Sequence, residues 1–216
     1  MIGEVIKMGK IKKSEYINLD SINAKAFYEL KANIQFQCAD KESKVIMISS
    51  AEKNDGRSTT AAYLSLVLAK SGKKTILVDC DQKNSNIHNI FELPNEKGLV
   101  NFLSGDINLE AAVNTTRQEN LTILTSGPLS LNYAELFVSS KFDELIQSLK
   151  KDFDYIIMDT SSLNDSSDVV ALSKYVDGSV LVVKYGQTER KSAIKAKEIL
   201  QKANANIIGI FLNKTN

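Results

Sequence analysis

The sequence predicts an α/β fold, a mostly parallel central sheet with helices on both faces. Three observations lead there. Short apolar runs alternate with longer amphipathic stretches along nearly all of the 216 residues. The runs themselves, VLVV at 180–183 among them, are continuous and β-branched, as in strands buried on both sides. Finally, with only 2 prolines and no repeat or low-complexity linker, nothing divides the chain. Residues 21–216 therefore read as a single domain behind a polar, flexible N-terminal arm over 1–20.

In order along the chain, SINAKAFYELKANIQFQ (21–37) places Ala26, Phe27, Leu30 and Ile34 at helical spacing, with Ser21 as its cap. Strands are expected at VIMIS (45–49), TILVD (75–79), LTILT (121–125), YIIMD (155–159), SVLVVKY (179–185) and IIGIFLN (207–213). Helices are expected near 58–71, 134–151, 167–176 and 188–204, where the apolar period lengthens.

Composition excludes several classes. A formal net charge of +1 argues against a nucleic-acid binder driven by bulk charge. Two cysteines, Cys38 and Cys80, and a single histidine, His88, leave no basis for a disulfide framework or a metal cluster, and suggest a reducing cytosol. No apolar run approaches the roughly 18–20 residues of a membrane span. The N-terminus lacks the apolar core of a signal peptide. The protein is expected in the cytoplasm, reaching the membrane only through a partner.

The chemistry begins at SSAEKNDGRSTT (49–60), between an apolar strand and a helix. Such a junction presents backbone N–H groups to an anion. Ala51 to Ser58 has the spacing of a phosphate loop, A-x-x-x-x-G-R-S against G-x-x-x-x-G-K-[ST]. Asn54 stands where glycine is frequent, but Asn tolerates positive φ. Arg57 keeps the positive charge in a larger planar form. Ser58 is a candidate Mg²⁺ ligand, and Thr59 and Thr60 open the helix. The alternative reading is an ordinary polar loop. Asp79 and Asp81 close the second strand and Asp159 ends YIIMD, so three carboxylates fall at strand ends, where open parallel sheets collect ligands. Alone, each could simply cap a turn; together with the loop they point to a magnesium–nucleotide site.

The order SSAEKNDGRSTT, ILVDCDQKNSNIH, GLVNFLSG, TSGPLSLNYAEL, DYIIMDTSS, DGSVLVVKYGQT, GIFLN resembles the bacterial tyrosine kinases (BY-kinases) of capsular and exopolysaccharide biosynthesis, within the deviant-Walker P-loop ATPases. The resemblance covers roughly residues 21–213. KAFYELKANIQF and the segment with Gly127, Pro128, Asn132, Glu135 and Leu136 favour the kinases over their septum-site and partition cousins. It implies a P-loop NTPase-like fold and ATP and Mg²⁺ as cofactors. Lys53, Asn54, Asp55, Gly56, Arg57, Ser58 and Thr59 would wrap the phosphates, and Asn213 would lie near the adenine. Ser58 would ligate Mg²⁺ directly, with Asp81 and Asp159 acting largely through water. Asp79 would help activate the tyrosine hydroxyl, so Asp79, Asp81 and Arg57 are the candidate catalytic residues. Partners implied are protein tyrosine substrates and a membrane-anchored activator of polysaccharide export.

The chain departs from the family pattern at four places. The loop reads K-N-D-G-R-S-T rather than P-G-E-G-K-S-T. The ring-forming E-x-x-R-x-x-R positions are Lys25, Tyr28 and Lys31, which predicts weak self-association or none into an octamer. The arginine pair after the second aspartate is Lys83 and Asn84. No tyrosine follows Tyr185, so autophosphorylation is expected away from the C-terminus, with Tyr16 in the arm accessible and Tyr63, Tyr155, Tyr175 and Tyr185 packed. These departures suggest a degenerate member with weakened catalysis. A non-catalytic nucleotide-binding regulator or scaffold, and a partition-type ATPase, stay open beside it. His88 is read as a solvent-facing loop residue and Cys80 as packing. The basic run ERKSAIKAKEILQK is read as a solvated helix face.

Overall fold

The structure is a computed structural model and describes residues 5–7, 22–130, 133–165 and 168–213. The elements run β1 (Val5–Lys7), α1 (Ile22–Gln37), β2 (Lys44–Ser50), α2 (Arg57–Lys70), β3 (Thr75–Asp79), α3 (Ile87–Ile90), α4 (Leu99–Ser104), α5 (Leu109–Ala112), β4 (Val113–Thr115) and β5 (Leu121–Leu124). They continue with α6 (Tyr133–Leu136), α7 (Ser140–Asp152), β6 (Tyr155–Ser162), α8 (Asp168–Leu172), a single 3-10 turn (Ser173–Tyr175), β7 (Gly178–Lys184), α9 (Arg190–Lys202) and β8 (Ile207–Asn213). Among the described residues, these eight strands form one sheet in the order β1-β8-β7-β2-β6-β3-β5-β4, parallel except for the β4–β5 pair.

Strand composition explains the layers. Along β2, Val45 and Met47 enter the core on one face of the sheet, while Ile46 and Ile48 enter the core on the other. Each face therefore needs an apolar cover, and the run carries no polar alternation. α1 and α2 cover one face. Ala26, Phe27, Leu30 and Ile34 are buried as their spacing predicts, and Phe27 stacks on Tyr63 of α2 and meets Phe211 of β8, each at 5.1 Å between ring centroids. α2 is buried nearly all round because it lies between α1 and the sheet. α7, α8 and α9 close the opposite face with Phe142, Leu145, Leu172 and Leu200.

Several expectations shift. Residues 5–7, expected within a flexible arm, form β1, parallel to β8 with Val5 opposite Ile210; the rest of the arm, with Tyr16, lies outside the described residues, as do Ser21 and Asn132. The helix expected over 134–151 is two helices. Ser139 interrupts it, its Oγ accepting from the Phe142 N–H at 3.3 Å as the cap of α7. Strand β6 runs three polar residues past Asp159. Its pairing with β2 slips there, Ile48 opposing Asp159 but Ser50 opposing Ser162, which inserts an extra β6 residue. β7 ends at Lys184, so Tyr185 is 55% exposed rather than packed, and Tyr175 is half-buried; Tyr63 and Tyr155 are buried as expected.

Candidate active site

The loop at the carboxyl end of β2 is shaped by two backbone positions. Asn54 has φ 64° and Gly56 φ 98°. A Cβ on Gly56 would run into the Asn213 side-chain amide, so both conformation and space favour glycine there. Asn213, at the end of β8, donates to the Asp55 carbonyl at 2.7 Å, and its own Oδ1 is buried without a partner. The Asp55 side chain turns inward. It accepts from the Glu52 N–H at 2.9 Å and from Thr188 Oγ1 at 2.6 Å, and burial still pushes its carboxyl upward despite these bonds. Asp55 thus spends its side chain closing the loop. Lys53 and Asn54 are exposed at its tip. Gly56 precedes α2, whose first turn holds no acidic residue, so the helix N-terminus keeps its positive end for an anion.

β2, β6 and β3 lie side by side, and their ends bring the acids together. Asp79 and Asp159 are register partners. Asp79 Oδ2 accepts from Ser85 Oγ at 2.9 Å and from the Ile87 N–H at 3.3 Å, and its Oδ1 accepts from the Asp81 N–H at 3.1 Å. Asp81 Oδ1 accepts from Ser161 Oγ at 2.9 Å and from the Asn84 N–H at 3.1 Å. Its Oδ2 is paired with the Arg57 guanidinium, whose Nε lies 3.9 Å from Asp159 Oδ1. All three acids are fully buried and Arg57 is 6% exposed. Burial pushes Asp79 up to about 6, against the hydrogen bonds from Ser85 and Ile87 and the charges of His88 and Arg57. Burial likewise pushes Asp159 up to about 7, with Arg57 opposing and Asp79 adding to the rise.

Among the described residues no three His, Cys, Asp or Glu side chains form a ready metal cluster. Mg²⁺ needs none, since it is held through one or two carboxylates, water and phosphate. The residues present fit it: both Asp159 oxygens are buried without a hydrogen-bond partner, Asp81 is adjacent, and the Ser58 hydroxyl lies close enough to favour the Asp159 carboxylate. Arg57, Ser58, Asp79, Asp81 and Asp159 thus meet in one place, while Gly56, Asp55 and Asn213 form the neighbouring wall.

Three positioning residues escaped sequence reading: Ser161, Ser85 and Thr188. Lone serines and threonines carry no spacing signal; only the extension of β6 brings Ser161 onto Asp81. His88 is not a free loop residue. It belongs to α3, is half-buried, and its Nδ1 lies 3.1 Å from Ser85 Oγ, one step from Asp79. Ser126 Oγ donates to the same Ser85 oxygen at 2.7 Å. Cys80 is packing, as expected: it is 2% exposed, and burial together with Asp79 and Asp159 holds its thiol well above the usual range. Lys83 is exposed over the Tyr133 ring, and Asn84 serves through its backbone.

Comparison with known proteins places this geometry. Residues 43–204 match the family model described as an AAA domain. The chain is 37% identical over 193 residues to the tyrosine-protein kinase YwqD of Bacillus subtilis strain 168, covering 89% of this chain and 81% of that one. It superimposes on the crystal structure of the chimerical protein CapA2B2 with a TM-score of 0.93 at 30% identity, over 98% of this chain and 94% of that one. The septum site-determining protein MinD from Pyrococcus horikoshii, complexed with Mg-ADP, is more distant: TM-score 0.67 at 26% identity, over 79% of this chain and 70% of that one. A P-loop between β2 and α2, three acids at the ends of β3 and β6, and likeness to a tyrosine kinase over most of both chains settle the assignment: the chain belongs to the bacterial tyrosine-kinase family.

Proposed function

We propose that this chain is an ATP-dependent protein-tyrosine kinase that phosphorylates itself and regulates capsular or exopolysaccharide biosynthesis. The observation that carries this reading is the convergence of Asp79, Asp81 and Asp159 on Arg57 and the N-terminus of α2. Backbone N–H groups of residues 53–59 hold the phosphates, and Asn213 flanks the base. Ser58, Asp81 and Asp159 hold Mg²⁺, which supplies charge neutralisation on the phosphates. Asp79, with a carboxyl near 6, accepts the proton of the tyrosine hydroxyl at neutral pH. Ser85 and the Ile87 N–H engage Asp79 Oδ2 and so orient the carboxylate, leaving a lone pair on Oδ1 beside the bond from the Asp81 N–H.

Turnover is slowed by Arg57. A lysine places a compact charge over the transferring phosphate, whereas the guanidinium is already committed to carboxylates. The protein works in the cytoplasm, and a membrane-anchored partner supplies an activating segment. Among the described residues no helix is long and apolar enough to cross a membrane, and the likeness to a chimerical relative fits a two-part assembly. The test is to mix the protein with ATP, Mg²⁺ and the partner's cytoplasmic segment and probe for phosphotyrosine. Arg57→Lys is expected to raise the signal by up to about a hundredfold, with a smaller change in ATP affinity, and Asp79→Asn to abolish it. ATP binding without phosphotyrosine in either form would instead support the non-catalytic regulator, and ATP hydrolysis alone the partition-type ATPase.

A further inference from the structure

The Arg57 guanidinium lies between two carboxylates that the site offers to a metal. It is paired with Asp81 Oδ2 and its Nε is 3.9 Å from Asp159 Oδ1. We propose that Arg57 is a tethered counter-cation that competes with the divalent ion for Asp81 and Asp159, so that metal enters only when a phosphate draws the guanidinium away. This rests on the reading of Asp81 and Asp159 as the metal-binding acids.

Three features support it. First, the guanidinium is the cation placed directly among these acids, and all of them are sealed from water; a divalent ion and a guanidinium there would repel each other at short range in a medium of low dielectric. Second, Arg57 is held unevenly. Asp81 is fully engaged, by Arg57, Ser161 and the Asn84 N–H. On the other side Arg57 Nε and both Asp159 oxygens are buried without hydrogen-bond partners. Such groups gain from a new partner more than they lose by parting. Third, Arg57 is the first residue of α2, beside the helix N-terminus that attracts anions. A phosphate held there offers the guanidinium a bidentate partner without moving its backbone. The metal and the nucleotide would then bind with positive coupling, and by linkage each would tighten the other.

The test needs no kinase activity. Mn²⁺ binding to the purified protein without nucleotide is measured by calorimetry or electron paramagnetic resonance, for the unaltered protein and for Arg57→Gln. The variant is expected to bind Mn²⁺ at least about tenfold more tightly, and saturating ADP is expected to narrow the gap. Equal affinities without nucleotide would overturn the proposal, as would a gap that ADP leaves unchanged. Arg57→Gln leaves three buried carboxylates without their cation and can fail to fold. Arg57→Lys is therefore measured alongside: one ammonium cannot fork across two carboxylates, so it should also bind Mn²⁺ more tightly than the arginine protein, and an equal or weaker affinity would refute the competition. If no form takes up Mn²⁺ even with ADP, the acids are no metal site, and the metal reading falls together with this one. Loss of phosphotyrosine formation with the Mn²⁺ differences intact would remove the kinase reading alone.

Discussion

Substituting Gly56 by alanine tests the geometry of the phosphate loop without reference to catalysis. Two costs add. At φ 98° an L side chain is strained, by roughly 1–2 kcal/mol. The new methyl also runs into the Asn213 side-chain amide, so the Asn213 side chain must swing away and release the Asp55 carbonyl. That lost buried hydrogen bond costs about 1–2 kcal/mol more. Gly72 supplies the control. Its φ is 76°, but nothing lies within 4 Å of a Cβ there. Gly72→Ala should therefore show the backbone strain alone, partly offset by about 0.4–1 kcal/mol of lost freedom in the unfolded chain. With the same unfolded-chain offset applied to both variants, urea unfolding at fixed pH is expected to give a loss of about 1–3 kcal/mol for Gly56→Ala and about 1 kcal/mol for Gly72→Ala. The decisive comparison is a double-mutant cycle with Asn213→Ala. Once Gly56→Ala has displaced Asn213, removing its amide should cost little further, giving a coupling near 1 kcal/mol. Additive losses, or a Gly56→Ala no worse than Gly72→Ala, would refute the contact.

Other expectations follow from the same geometry. Asp79 and Asp159 hold protons more tightly folded than unfolded, where the value is 3.8. Their contribution to stability is whole below that value and lost as pH rises through about 6 and about 7, so the urea midpoint should fall between about pH 5 and about pH 8, and Asp159→Asn should flatten the slope; a rising midpoint would contradict this. Sedimentation at micromolar concentration should find no stable octamer: Lys25 pairs with Glu29 within α1, and Lys31 Nζ donates to Ser71 Oγ, so neither offers the charge pattern of the family ring. Mass spectrometry of phosphorylated protein should find Tyr63 and Tyr155 unmodified, each being 2% exposed, and substantial modification at either would show that the core opens.

The sequence made the framework legible because its signals there are long and redundant. Ile156 and Ile157 on β6, or Ile46 and Met47 on β2, sit in continuous apolar runs that only a doubly covered strand explains. The loop and the acids were legible because they stand at the ends of those runs. What stayed hidden has short or purely three-dimensional causes. The helices α3, α5 and α6 span four residues each, too few to show a period. The extra residue in β6 depends on a neighbour's register. Ser85 and Ser161 become meaningful only when β3 and β6 lie together, and the pairing of Arg57 with Asp81 joins residues 24 positions apart through a fold no local pattern encodes.

The bond from Asn213 to the Asp55 carbonyl also has a bearing on synthesis. Its two ends are 158 residues apart in sequence. At the usual pace of about 5–20 residues per second, the loop waits on the order of 10–30 s after its own translation for that amide to be made. Until β8 arrives beside β7, the Asp55 carbonyl has lost a buried partner and the wall next to Gly56 is missing. A growing chain therefore carries all the residues of its phosphate loop long before it has the loop's shape, which belongs to the completed sheet rather than to the nascent one.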